Sequence, residues 1–281
     1  MRLVFLGTPV DAVPSLRALV DAGHEVALVV TQPDRRRGRG AGLAPSPVKT
    51  AAADLGLPVR TPERAREIVD EIRATQAELG VVVAFGQLLP DALLAALPHG
   101  CINLHFSLLP RWRGAAPVER AILAGDTEAG VTVMGVDHGL DTGPIYAVEA
   151  TRIGPNETAG ELRSRLAGLG TRLLVDTVPQ IPGTEPVPQR GVATYAEKLT
   201  VDEFRLDWSR PGAELARVVR AGNPRPGAWT KVEGTRLKIW RANVGDDGRL
   251  VPIEVQPEGK GPMTWEEWRR GHPTAADVVR P

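Results

Sequence analysis

The chain has 281 residues, with 34 Lys and Arg against 34 Asp and Glu, and is 42% hydrophobic. Zero net charge excludes a molecule that binds polyanions over its whole surface, and a single cysteine excludes an intramolecular disulfide. Charge is unevenly shared: residues 204–281 hold 14 Lys and Arg against 10 Asp and Glu, which makes the C-terminal part mildly basic.

The opening Met-Arg-Leu-Val-Phe-Leu-Gly turns polar too early for a secretory signal. No apolar run approaches the roughly 18 residues of a membrane span. A cytoplasmic protein of a reducing compartment is expected. Residues 3–6 are an apolar run broken by Gly7-Thr8-Pro9, a strand and its turn. Val13, Leu16, Leu19 and Val20 then recur at helical spacing, and residues 26–30 form a second strand. Arg35, Arg36, Arg37 and Arg39 lie in a Gly-rich, aperiodic loop, which by composition alone reads as a solvated face. Residues 79–85 read as a fully buried strand. No G-x-G-x-x-G follows the first strand, so a dinucleotide fingerprint is absent.

The stretch from Cys101 to Pro117 starts as a strand, with Cys101, Asn103 and His105 on one face and Ile102, Leu104 and Phe106 on the other. An amide and an imidazole therefore arrive at the strand's carboxyl end, where open α/β sheets bind ligands. Asn103 and His105 either carry chemistry or only cap each other or a loop. Asp141 either sets an Asx-turn or acts in the same site. Asp137 and His138 read as a turn pair. Cys101 reads as a small buried filler. No tight ligand spacing supports a metal. Residues 131–136 and 145–148 are two further strands. Residues 158–177 form a helix with a Thr158/Glu161 capping box and a stripe of Leu162, Leu166, Leu169 and Leu173. The β-α-β-α alternation implies a mostly parallel, doubly wound sheet.

Residues 179–188 are rich in Pro and Gly, without periodicity, and begin a linker. A helix over 213–221 follows. Two strands, 229–232 and 236–244, flank the turn Glu233-Gly234-Thr235, and a third runs over 250–255. The expected division is a first domain over 1–188, a linker over 189–206 and a second domain over 207–281.

Residues 100–117, together with Val4–Pro9, the loop over 31–49, Gly139-Leu140-Asp141-Thr142-Gly143 and Thr194-Tyr195-Ala196-Glu197-Lys198-Leu199, resemble the signatures of the 10-formyltetrahydrofolate-dependent formyltransferases. The loop over 31–49 and the 194–199 segment are similar to the tRNA-directed branch of that family. The resemblance implies an α/β, doubly wound, mostly parallel Rossmann-like formyltransferase domain followed by a small, shortened OB-like β domain. It implies transfer of a formyl group from 10-formyltetrahydrofolate to the α-amine of methionyl-initiator tRNA, without a metal or a covalent enzyme intermediate. Asn103 and His105 then supply donors to the developing oxyanion, and Asp141 accepts the amine proton. Ser107, Leu108, Leu109 and Pro110 wall the folate pocket, with residues 85–90 beside them. Arg39, flanked by Arg36 and Arg37, meets the tRNA. A monomer with no membrane association is expected. After Val244 the chain skips roughly two strands of the family's five-stranded barrel, which leaves three strands and a helix near 265–270. An amino-sugar nucleotide is the alternative acceptor that such a shortened domain favours.

Overall fold

The computed structural model describes residues 1–36 and 42–273. In chain order its elements are β1 (Arg2–Gly7), α1 (Val13–Asp21), β2 (Glu25–Val30), β3 (Arg35–Arg36), β4 (Leu43–Ala44), α2 (Pro47–Asp54), β5 (Val59–Arg60), α3 (Val69–Ala74), β6 (Leu79–Val83), α4 (Asp91–Leu94), β7 (Cys101–His105), β8 (Arg113–Gly114), α5 (Pro117–Ala124), β9 (Glu128–Gly135) and β10 (Ile145–Arg152). They continue with α6 (Ala159–Thr177), β11 (Tyr195–Ala196), α7 (Gly212–Gly222), β12 (Ala228–Val232), β13 (Thr235–Val244), β14 (Leu250–Pro257), β15 (Met263–Thr264) and α8 (Trp265–Gly271). The chain forms two compact units, one from residues 1–113, 130–150 and 164–194, the other from 114–129, 151–163 and 195–281.

The first unit is built on a seven-stranded sheet of order β10-β9-β7-β6-β1-β2-β5. β1 runs parallel to β2 and β6, β6 to β7, and β2 to β5, while β9 is antiparallel to β7. The expected mostly parallel, doubly wound architecture is therefore present. Its cause is visible in the strands: Leu3, Val4, Phe5 and Leu6 are wholly buried, as are all five residues of β6, so both faces need cover. Val4, Leu6, Val82, Phe85 and Cys101 share one core with Ile68, Ile72, Leu93 and Leu97. From β1 the chain builds outward through β2 and β5, then returns to the other side of β1 with β6. That reversal places a crevice beyond the carboxyl ends of β1 and β6.

In the second unit, α5 starts with Pro117 in its first turn, ends at Gly125 in a left-handed conformation (φ 78°), and packs against α7. β12, β13, β14 and β15 form an antiparallel meander. The sequence suggested three strands; the fourth, β15, pairs Met263 and Thr264 with Val255 and Glu254. Two residues are too few for alternation to show. Helix α8 follows, with Thr264 and Glu267 in a capping box and Trp265 and Trp268 buried. The Thr158/Glu161 capping box also forms, and Glu161 accepts from Arg241 of β13 at 2.6 Å. The Thr158 backbone N–H, then Arg241, hold the Glu161 carboxyl down to about 2.

One close approach inside the sheet yields a test. Gly80 pairs with Cys101, and a Cβ at residue 80 would stand 2.4 Å from Cys101 Sγ. Gly80→Ala is expected to cost about 1–3 kcal/mol by overpacking. Adding Cys101→Ala should recover much of that loss in urea unfolding. An undiminished loss in the double variant would place the strain elsewhere.

Candidate active site

Strand β7 leaves Asn103 half-buried and His105 buried at the carboxyl end of the sheet. His105 Nε2 lies 2.9 Å from the carbonyl oxygen of Trp112, and Nδ1 lies 3.7 Å from Asp141 Oδ2. A carbonyl only accepts, so Nε2 is the nitrogen that carries a hydrogen. Nδ1 then faces a carboxylate that also only accepts when ionised. The pair is shielded from solvent, with side-chain exposures of 7% for His105 and 15% for Asp141. Both His105 ring nitrogens face protein groups.

The loop after β7 is held from within. Ser107 Oγ donates to the Arg111 carbonyl at 2.6 Å. Thr132 of β9, wholly buried, donates to the Ser107 carbonyl at 2.7 Å and accepts from Leu109 N at 3.3 Å. Ser107 and Leu109 are buried, while Leu108 and Pro110 keep partial exposure. Of the four expected pocket residues, Ser107 and Leu109 hold the loop in shape, and the Leu108 side chain packs over Gly130, where a Cβ would lie 2.3 Å from its Cδ2. Trp112 has φ 63°, and its N–H is bound by Thr194 Oγ1 at 2.9 Å. This left-handed turn aims the Trp112 carbonyl at His105.

Asp141 sits in a second left-handed turn, at φ 53°. Asp137 organises that turn: its Oδ1 accepts from Gly139 N at 3.0 Å and from Thr142 Oγ1 at 2.5 Å. A Cβ at Gly143 would fall 1.9 Å from the Gly135 carbonyl, so only glycine fits there. His138 pairs with Asp91 at 2.7 Å on the surface. Asp137 and His138 are thus turn and surface groups, as the sequence suggested. Gln189 and Arg113, which sequence reasoning did not single out, bear on the same turn.

A cavity of about 420 Å³ opens at the crevice beyond β1 and β6. Its wall includes Thr8, Gln32, Arg35, Arg36, Phe85 and Gly86. Thr8 Oγ1 donates to the Phe85 carbonyl at 2.9 Å, Gln32 Nε2 donates to the same oxygen at 3.2 Å, and Arg35 donates to Gln32 Oε1 at 2.9 Å. This network joins the expected tRNA loop to the expected folate loop and puts Arg36 in one wall with Phe85 and Gly86. Asn103, His105 and Asp141 do not line this cavity. β3 and β4 pair as a two-rung stem, so Arg36 stands on a hairpin stem rather than in an aperiodic loop. Lys49 of α2 pairs with Asp34, just before β3, at 2.8 Å. Arg37 and Arg39 lie outside the described residues.

In the second unit, Arg236, Lys238 and Trp240 alternate along the half-exposed face of β13. Arg236 lies 4.1 Å and Arg205 5.7 Å from the Trp229 ring centre, and Lys238 Nζ lies 4.9 Å from that of Trp240. The period-two spacing of Arg236, Lys238 and Trp240 was the available signal. Burial pushes the Cys101 thiol up to about 12, which fits a filler and not a nucleophile. Among the described residues no group of three or more His, Cys, Asp or Glu could hold a metal ion, and no helix is long and apolar enough to cross a membrane.

Residues 1–178 match the formyl transferase family model and residues 198–249 match the formyl transferase C-terminal domain. A methionyl-tRNA formyltransferase of Dinoroseobacter shibae is 52% identical over 289 residues, covering 99% of this chain and 96% of its own. Among solved structures, the methionyl-tRNA formyltransferase from Clostridium thermocellum superimposes with a TM-score of 0.63 at 16% identity, over 93% of this chain and all of its own. HypX from Aquifex aeolicus, in complex with tetrahydrofolic acid, does so with a TM-score of 0.70 at 15% identity, over 96% of this chain and 47% of its own. These distant structures share the fold. Half identity along nearly the whole length is a stronger bond, and it decides the matter: the chain belongs to the formyltransferase family, among the methionyl-tRNA formyltransferases.

Proposed function

We propose that the chain transfers the formyl group of 10-formyltetrahydrofolate to the α-amine of methionyl-initiator tRNA, as a cytoplasmic monomer that needs no metal. The observation that carries this reading is the buried pair of His105 and Asp141, 3.7 Å apart, at the carboxyl end of β7. An α-amine has a pKa of roughly 8 and must shed a proton to attack the formyl carbon. The Asp141 carboxylate with His105 receives that proton, and the Asn103 amide donates to the formyl oxygen as negative charge develops there. The amine attacks the formyl carbon, the proton held by Asp141 and His105 passes to the departing N10 as the C–N10 bond breaks, and tetrahydrofolate leaves with no bond formed to the enzyme.

The folate takes its place against Leu108 and Pro110 of the loop after β7, with Ser107 and Leu109 holding that loop in shape, and against residues 85–90. Leu88, at 85% exposure, offers apolar surface suited to a flat heteroaromatic ring. The acceptor end of the tRNA enters beside Arg36, with Arg37 and Arg39 close by in sequence. Residues 1–188 act as the catalytic domain, 189–206 as the linker and 207–281 as the second domain. The basic and aromatic face of β13 supports a tRNA role for this reduced sheet, since guanidinium groups and rings suit a phosphate backbone with exposed bases.

Single-turnover formyl transfer, with initiator methionyl-tRNA, elongator methionyl-tRNA and a 4-amino-sugar nucleotide offered in parallel, tests the reading. Formylation of initiator tRNA is expected. Transfer to the sugar alone would overturn it. Asp141→Ala is expected to lower kcat by about 10²–10⁴-fold and Asn103→Ala by about 10²–10³-fold, with smaller changes in KM. Replacing Arg236 and Lys238 together by Ala should raise KM for tRNA while leaving KM for the folate in place. It should also flatten the salt dependence by about one unit of slope per lost contact. Unchanged tRNA kinetics would remove β13 from the binding surface. Arg39→Ala should lose tRNA turnover while folate binding persists, and equal loss of both would point to a damaged fold.

A further inference from the structure

The turn that carries Asp141 is gripped by a side chain 48 positions away in sequence. Gln189 Nε2 donates to the Asp141 carbonyl at 2.8 Å and to the Gly143 carbonyl at 2.8 Å. Gln189 Oε1 accepts from Arg113 twice, from Nε at 3.1 Å and from a terminal nitrogen at 2.7 Å. Both N–H donors and both oxygen lone pairs of the amide are therefore used. Its orientation is also determined. The flipped amide would set oxygen against two carbonyls and NH₂ against a guanidinium, four unfavourable contacts in place of four bonds.

We infer that Gln189, braced by Arg113, is a positioning residue that holds the backbone of the 141–143 turn and thereby sets the Asp141 carboxylate against His105. The inference rests on the reading of Asp141 as proton acceptor. Asp141 needs such a grip, because a non-glycine residue in a left-handed conformation is strained and persists only where its surroundings over-determine it. Asp137 secures the start of the turn through Gly139 and Thr142. Gln189 secures Asp141 itself and the residue two positions on. Arg113 follows directly on Trp112, whose carbonyl receives His105 Nε2. One short segment of chain therefore orients the imidazole through its backbone and braces the carboxylate's turn through its side chain. In this view the expected linker contributes to the catalytic geometry through its first residue.

Gln189→Glu is the discriminating change. It keeps the shape and the pairing with Arg113 but removes both donors and sets a negative charge against two carbonyls. A misplacement of the carboxylate by an ångström should lower kcat by about 10- to 100-fold, with KM for folate and tRNA within about 2-fold. Gln189→Met, similar in size and without donors, serves as a second variant should the first fail to fold, with thermal midpoints recorded for both. In a cycle with Asp141→Asn, the double variant is expected to be no slower than Asp141→Asn alone, because Gln189 acts through Asp141. The ¹⁵N shifts of the His105 imidazole, assigned against His105→Gln, should differ between wild type and Gln189→Glu. Wild-type kcat in both variants, additive losses in the cycle, or unchanged His105 shifts would each overturn the inference. Should the wild type transfer formyl to none of the three acceptors, the functional reading fails, and the His105 shifts alone decide the positioning role.

Discussion

A buried imidazole with a commitment on each nitrogen is the constraint around which the first unit is arranged. His105 can hold its proton on Nε2 only because a main-chain carbonyl waits there, and that carbonyl is in place only because Trp112 adopts a backbone conformation unusual for a bulky residue. Its other nitrogen faces the Asp141 carboxylate at 3.7 Å, with both side chains shielded from solvent. A two-faced parallel sheet supplies both conditions: β7 is fixed on either side by β6 and β9, and its end is closed off from solvent.

Strain is concentrated at the same edge. Ala84 after β6, Trp112 after β7 and Asp141 after β9 all have positive φ, at 49°, 63° and 53°. None is glycine, and each costs of order 1–3 kcal/mol. The sheet beneath them is densely apolar and the turns around them are heavily hydrogen-bonded. Rigidity in the strands thus supports unfavourable backbone in the loops that carry the Trp112 carbonyl and the Asp141 carboxylate to His105.

The sheet was largely legible in the sequence, because β1, β2 and β6 are short apolar runs. The capping box at Thr158 was legible for an equally local reason. Asn103 and His105 stood out as polar residues on a buried strand, although spacing alone left their role open, and the family resemblance tied Asp141 to them. What could not be read was non-local. A glutamine in a Pro-rich stretch shows no sign that its amide spans two carbonyls and a guanidinium. Nor does the sequence show that the Ser107 hydroxyl donates to the Arg111 carbonyl. The grouping of α5 with the C-terminal segment depends on two amphipathic helices meeting, and amphipathicity does not name a partner. β15, at two residues, spans only a single period of the pattern that would reveal it.

The cysteine packed against Gly80 has a practical consequence for spectroscopy. Its sulfur is shut inside the core with its thiol held neutral far above physiological pH. Maleimide and iodoacetamide dyes require an accessible thiolate. A cysteine introduced at an exposed position, such as the hairpin stem or the outer face of β13, would therefore take up a dye alone, with the native cysteine left in place. Paired fluorophores could then follow tRNA arrival and release in real time on an otherwise unaltered core.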